Sequence, residues 1–283
     1  MDSHDRKAIM DNLEKVLAKV KQQRAAVTPP GAADLSRSPL MAEKSPLPAA
    51  PKLATIDEAH LERHRILAHR TRNPDADIFR ILRTQVLQIM NRSGYRTLAI
   101  TSPNYGDGKT TIALNLAMSI ALDLKQTVLI CDLDLRKPNL YEYMGMEPTV
   151  GLSNYLIHGV PLRECMVRPP FDRLNTLPAG PALEYSSEIL GSPKMAMLAH
   201  ELKNRYPDRM IIYDMPPVLA QDDSAAFMPN VEAVLVVVRD GITRTDEIRQ
   251  TVERLSNANI IGVVLNDARD APKVKPPRIR KPG

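Results

Sequence analysis

The sequence has 283 residues, 38 Lys and Arg against 33 Asp and Glu, and a formal net charge of +5. That length suits one good-sized core with appendages or two small domains, and so small a charge leaves no electrostatic footprint for nucleic acid, so no nucleic-acid partner is expected. The two cysteines, Cys131 and Cys165, lie far apart without paired spacing, which argues against a disulfide framework or a zinc site and suits a reducing compartment.

The N-terminus is charged and does not read as a secretory signal. No apolar run approaches the ~20 residues of a membrane span; the best, residues 231–238, is interrupted by Glu232. The expected location is cytoplasmic, with any membrane connection made through a partner or the protein surface.

Residues 1–26 carry a helical pattern. Ile9, Leu13, Val16 and Val20 recur at spacings of four, three and four, with Lys15, Lys19, Lys21 and Arg24 as a basic back. Such a helix either packs on its own domain or serves as a docking or oligomer helix. Residues 27–55 read as a linker, because Pro29, Pro30, Pro39, Pro46, Pro48 and Pro51 fall among Ala and Ser with little to bury.

Residues 56–268 form the expected globular domain. A helix is predicted over 76–90, with Phe79, Leu82, Val86 and Ile89 on one face. Strands are predicted at 97–102, 127–132, 174–177, 209–214, 233–238 and 260–265, and helices at 109–122, 193–205 and 244–256. The strands are near-continuous Val, Ile and Leu, the pattern of strands buried on both faces. The fold class is therefore α/β, a mostly parallel sheet with helices on both faces, of the P-loop NTPase kind. Residues 269–283 are a tail with four prolines and six basic residues, read as a disordered end that an anionic surface or acidic partner can attract.

The strongest chemical signal is TSPNYGDGKTT, residues 101–111, between a predicted strand and a predicted helix. Gly106 and Gly108 let the backbone close around phosphate oxygens, with Asp107 between them. The helix start at Lys109, Thr110 and Thr111 offers unpaired N–H groups and a partial positive charge. Lys109 is suited to the outer phosphates and the Thr110 hydroxyl to Mg²⁺. The general loop pattern asks for glycine where Pro103 stands, so this loop is a variant.

Three strand ends add to it. VLICDLDLRKP, residues 128–138, places Asp132 and Asp134 where ligands sit in open parallel sheets. RMIIYDMPP, residues 209–217, ends its hydrophobic run in Asp214, the Walker B arrangement that holds Mg²⁺. GVVLND brings Asn266 to the same edge, as a nucleotide-base contact or a simple turn residue.

These segments resemble the Walker A, Walker A′ and Walker B motifs of the bacterial tyrosine kinases of exopolysaccharide and capsule synthesis. The family loop usually reads PGEGK[ST], so Tyr105 and Asp107 are departures. ADIFRILRT, residues 76–84, resembles the family's ExxRxxR oligomerisation helix, with Asp77, Arg80 and Arg83 at its positions. The separate N-terminal helix and LPAGP, residues 177–181, resemble the autokinase branch associated with exosortase loci.

The resemblance implies bound ATP and Mg²⁺, with catalytic roles for Lys109, Asp132, Asp134 and Asp214 and metal-holding roles for Thr110, Asp132 and Asp214. It implies transfer of the γ-phosphate to a protein tyrosine, with Asp132 or Asp134 taking the hydroxyl proton. It also implies a homo-oligomer through Asp77, Arg80 and Arg83, and recruitment to the inner membrane face by the cytosolic segment of a chain-length determinant (polysaccharide co-polymerase). The family's tail tyrosines have no counterpart in residues 269–283, so the acceptor is expected at Tyr141, at Tyr143 or on a separate protein. The alternative is an ATPase switch like those that position cell structures or partition DNA. Against it, Asn104 stands where those proteins carry a second lysine.

Overall fold

The computed structural model describes residues 52–53, 56–70, 73–123, 126–147, 150–206 and 208–268. The expected N-terminal helix and the basic tail lie outside the described residues, as does all of the expected linker but 52–53.

In chain order the domain runs β1 (Lys52–Leu53), α1 (Glu58–Arg63), α2 (Pro74–Ser93), β2 (Thr97–Thr101), α3 (Lys109–Ala121), β3 (Thr127–Asp132) and α4 (Leu140–Met144). It continues α5 (Leu152–His158), α6 (Leu162–Cys165), β4 (Val167–Arg168), β5 (Leu174–Leu177), α7 (Ser186–Leu190), α8 (Pro193–Arg205) and β6 (Arg209–Asp214). It closes with α9 (Asp223–Phe227), a 3₁₀ turn, β7 (Ala233–Arg239), α10 (Thr245–Arg254) and β8 (Ile260–Asn266).

The sheet order is β1-β4-β5-β3-β6-β2-β7-β8. The inner run from β5 to β8 is parallel throughout, and β4 lies antiparallel to β5. The six predicted strands make up that parallel run. The two-residue strands β1 and β4 carry no periodic signal of their own, and β1 begins the sheet inside the expected linker.

Alternation sorts each strand between two cores. Val128, Ile130, Met210 and Ile212 join the cluster packed under α2 and α3. Tyr213, next after Ile212, faces the other way and meets Phe227 of α9 edge-on, ring centroids 4.8 Å apart. Helices thus cover both faces, which is why these strands show no polar alternation.

Helix α2 is longer than predicted because its ends are chemically marked. Asn73 caps its first turn by accepting from the Asp75 N–H, Pro74 opens it, and Gly94 at φ 68 ends it. Of the predicted face, Val86 is buried and Phe79 and Leu82 pack on the core, but Ile89 is 38% exposed. Ile78 and Ile81 are 51% and 43% exposed, giving α2 an apolar outer surface.

Helix α3 is the buried axle of the domain. Within it Asn115 is fully buried and satisfied: Oδ1 accepts from the Leu67 and Ala68 N–H groups at 2.8 and 2.9 Å. Its Nδ2 donates to the Arg65 and Thr111 carbonyls at 2.9 and 2.8 Å. One amide uses all its bonding capacity, and three of its four bonds hold the segment that precedes α2 against the phosphate-loop helix.

Candidate functional site

The register of the sheet builds the site. Strands β3 and β6 are parallel neighbours with Asp132 opposite Asp214, and β6 also pairs with β2, setting Asp214 opposite Ile100. The loop after β2 therefore opens directly over two strand-terminal carboxylates. It leads into α3, whose N-cap, Gly108, makes no side-chain capping bond. The first N–H groups of this helix face a cleft of about 200 Å³ lined by Tyr105, Gly106, Gly108, Lys109, Thr110 and Thr111.

Both loop glycines are required. Gly106 and Gly108 have φ of 82° and 96°, a region other residues rarely adopt. A Cβ on Gly108 would also lie 2.0 Å from Asn266 Nδ2.

Asp107 turns its carboxylate into the loop. Oδ2 accepts from the Asn104 N–H and Oδ1 from the Thr243 hydroxyl, each at 2.8 Å. Its side chain braces the loop, and only its backbone is available to a phosphate. Asn266 lines the cleft, but its Nδ2 donates to the Asp107 carbonyl at 2.9 Å, pinning the loop to the end of β8.

Behind the loop lie Lys109, Asp132, Asp134 and Asp214, all buried. Lys109 Nζ pairs with Asp134 Oδ2 at 3.1 Å. Burial alone works against its charge, but Asp214, Asp134 and Asp132 together outweigh burial and hold its pKa above the ordinary lysine value. Asp132 accepts the N–H groups of Asp134, Asn139 and Leu140 at 3.0, 3.2 and 3.1 Å. Burial first, then the Asp214 charge, still push its pKa up to about 7. Burial likewise lifts Asp214 to about 6, against the opposing pull of Lys109 and of the Thr110 hydroxyl.

Three carboxylates against one ammonium leave this pocket with excess negative charge when ionised, an expensive state in a buried site. Protons or a divalent cation relieve it. Asp214 Oδ1 is buried and has no hydrogen-bond partner, and Thr110 bonds the same carboxylate. Among the described residues no group of three or more His, Cys, Asp or Glu side chains is set to hold an ion unaided. Magnesium tolerates that, because it takes a few protein oxygens and completes its shell with phosphate and water. The donor set fits Mg²⁺.

Lys109, Thr110, Asp132, Asp134 and Asp214 are thus brought together, while Asp107 and Asn266 shape the loop. The cleft also includes Arg65, Asn139, Tyr143, Arg239 and Asp267. Arg239 ends β7 and Asp267 follows the end of β8, where the open-sheet rule places ligands. Arg65 comes from the segment before α2 and carried no sequence signal. It pairs with Asp267 at 3.3 Å, and both residues have φ of 58°.

The two acceptor candidates differ. Tyr141 is buried, with its hydroxyl donating to the Val150 carbonyl at 3.1 Å, while Tyr143 is half-buried and lines the cleft. At the oligomerisation positions, Arg80 pairs with Asp77 and donates to the Arg70 carbonyl. Arg83 donates to the Ser119 carbonyl at 2.8 Å, so it is docked on its own α3.

Comparison with known proteins agrees with this geometry. Residues 85–277 match the family model described as the CobQ/CobB/MinD/ParA nucleotide binding domain. The sequence is 32% identical over 196 residues to a putative tyrosine-protein kinase, EpsB, of Ralstonia solanacearum, covering 69% of this chain and 26% of that protein. It is 28% identical over 210 residues to tyrosine-protein kinase YwqD of Bacillus subtilis, covering 74% of this chain and 87% of that one. The solved kinase domain of the Escherichia coli tyrosine kinase ETK superposes with a TM-score of 0.64 at 27% identity, covering 79% of this chain and 93% of that domain.

Proposed function

This chain belongs to the CobQ/CobB/MinD/ParA nucleotide-binding domain family, and from that premise we propose that it is a protein-tyrosine kinase that binds Mg-ATP and regulates exopolysaccharide synthesis or export. The observation that carries the reading is the buried cluster of Lys109, Asp132, Asp134 and Asp214 behind a helix N-terminus with no side-chain cap.

Phosphoryl transfer asks mainly for positioning and charge neutralisation. The α3 N–H groups and Lys109 hold the phosphates. Thr110 and Asp214, with Asp132 beside them, hold Mg²⁺, which when bound neutralises charge on the phosphoryl oxygens. In the transfer, the tyrosine oxygen bonds to the γ-phosphorus as the bond to the bridging oxygen of ADP breaks. The phenolic proton passes to Asp132 or Asp134. Tyr143, at the cleft, is the acceptor candidate within the described residues, and a tyrosine on a separate protein is the other.

The names of its relatives support the kinase reading, as does the ExxRxxR-like α2 with its exposed Ile78 and Ile81. By that reading copies of the chain assemble through this helix. A chain-length determinant's cytosolic segment brings them to the inner membrane face. No helix among the described residues is long and apolar enough to cross a membrane.

The burial of Tyr141 and Tyr213 favours one second reading, an ATP-driven switch that transfers nothing to tyrosine. The deciding experiment incubates the full chain with Mg-ATP and the partner segment. Phosphotyrosine supports the kinase; ADP release without it supports the switch.

A further inference from the structure

The cations around the phosphate loop are mostly committed. Lys109 pairs with Asp134 at 3.1 Å, and Arg65 and Arg239 pair with Asp267 at 3.3 and 3.0 Å. Arg136 donates to the Ser186 hydroxyl at 2.7 Å and faces the buried Asp223 at 3.6 Å. Lys137 differs: among the described residues its ammonium has no carboxylate within ion-pair distance. It rests over the ring of Tyr105, 4.2 Å from the centroid.

Its place is nevertheless fixed. The Lys137 N–H donates to Asp134 Oδ1 at 3.1 Å, and the other oxygen of that carboxylate holds Lys109. Tyr105 belongs to the phosphate loop and lines the cleft, and Lys109 Nζ lies 5.9 Å from the same ring. The Tyr105 hydroxyl contacts the Gln221 side-chain amide, beyond the end of β6, so both ends of the ring are tethered. The Tyr105 ring therefore lies within reach of two ammonium groups beside the phosphate loop, only one of which has a carboxylate partner. A ring face holds an ammonium weakly beside what a phosphate oxygen offers.

We propose that Lys137, parked on Tyr105, is the cation that meets the outermost phosphate of a bound nucleoside triphosphate, so that the Tyr105–Lys137 pair lets the site tell a triphosphate from a diphosphate. The location follows from Tyr105. Lys109 is the loop's outer-phosphate lysine, and the same ring lies 5.9 Å from its Nζ and 4.2 Å from that of Lys137. Tyr105 is a positioning residue: its ring keeps the ammonium at the mouth, ready for transfer to the ligand. The inference rests on the nucleotide-binding part of the function proposed above.

The test is calorimetry on the full chain with Mg-ADP and with the Mg complex of a non-hydrolysable ATP analogue. Wild type is expected to prefer the triphosphate. K137M is expected to lose about tenfold in affinity for the analogue, the scale of one charge-assisted contact, with Mg-ADP binding unchanged. Y105F keeps the ring face and should keep the preference for the triphosphate, whereas Y105A should show part of the K137M loss. Equal affinity changes for both nucleotides in K137M, or none, overturn the proposal while leaving nucleotide binding intact. Absence of binding by wild type to either nucleotide overturns both.

Discussion

Asp132 and Asp214 end adjacent parallel strands in register, opposite one another, both buried. Neighbouring strands stand ~4.8 Å apart, too close for two desolvated carboxylates to stay charged without compensation. Lys109 offsets part of this charge. The rest calls for protons or a divalent ion, and that demand underlies the predictions below.

Asp214→Asn should therefore make the ligand-free protein more stable while abolishing its response to Mg-nucleotide. The substitution keeps the shape and removes one of the crowded charges. Thermal melting with and without Mg-ATP checks it; a variant whose melting point still rises on adding Mg-ATP contradicts the metal-holding role.

The pH dependence has a definite sign. Asp132 and Asp214 are raised to about 7 and about 6, so the folded, ligand-free protein binds protons that the unfolded chain releases near pH ~4. These groups then favour folding at low pH, and their contribution falls as pH rises from ~4 through ~7. Magnesium needs the ionised forms, so the melting shift caused by Mg-nucleotide should be larger at pH ~8 than at pH ~5.5. The reverse order would show that these carboxylates are not the ones the metal uses.

Asn115→Leu should cost about 2–4 kcal/mol, since three hydrogen bonds to the segment before α2 vanish and two N–H groups lose their partner. Because Arg65 rides on that segment and lines the cleft, nucleotide affinity should fall as well. Urea unfolding and nucleotide titration of the same variant measure the two effects.

Much of this was legible beforehand. Most of the six parallel strands show as Val-, Ile- and Leu-rich runs because both faces of the sheet are covered, and the loop announces itself through Gly106, Gly108 and Lys109. What stayed hidden depends on long-range pairing. β1 and β4 are two-residue strands that exist only through their neighbours. Nothing local reveals that the carboxylate of Asp107, inside the phosphate loop, is taken by Thr243 far along the chain. Arg65 reaches the cleft only because a buried asparagine ties its backbone to α3. The outward Ile78 and Ile81 were obscured by the apolar residues around them, which suit a helix buried on either side.

Self-association should depend on those isoleucines more than on Arg83. Ile78→Asp with Ile81→Asp should shift the chain toward monomer in sizing chromatography without unfolding it. Arg83→Ala, which removes a charge-assisted bond to the Ser119 carbonyl, should lower stability by about 1–3 kcal/mol. An isoleucine variant that elutes like wild type would remove α2 as the contact surface.

The most direct test of the account is equilibrium dialysis of Mg-ATP against wild type and Lys109→Ala side by side. The wild-type chain is expected to bind one equivalent, and the variant to bind little or none while remaining folded by circular dichroism. Equal binding by the two proteins would mean that the nucleotide, if held at all, is held somewhere other than this loop.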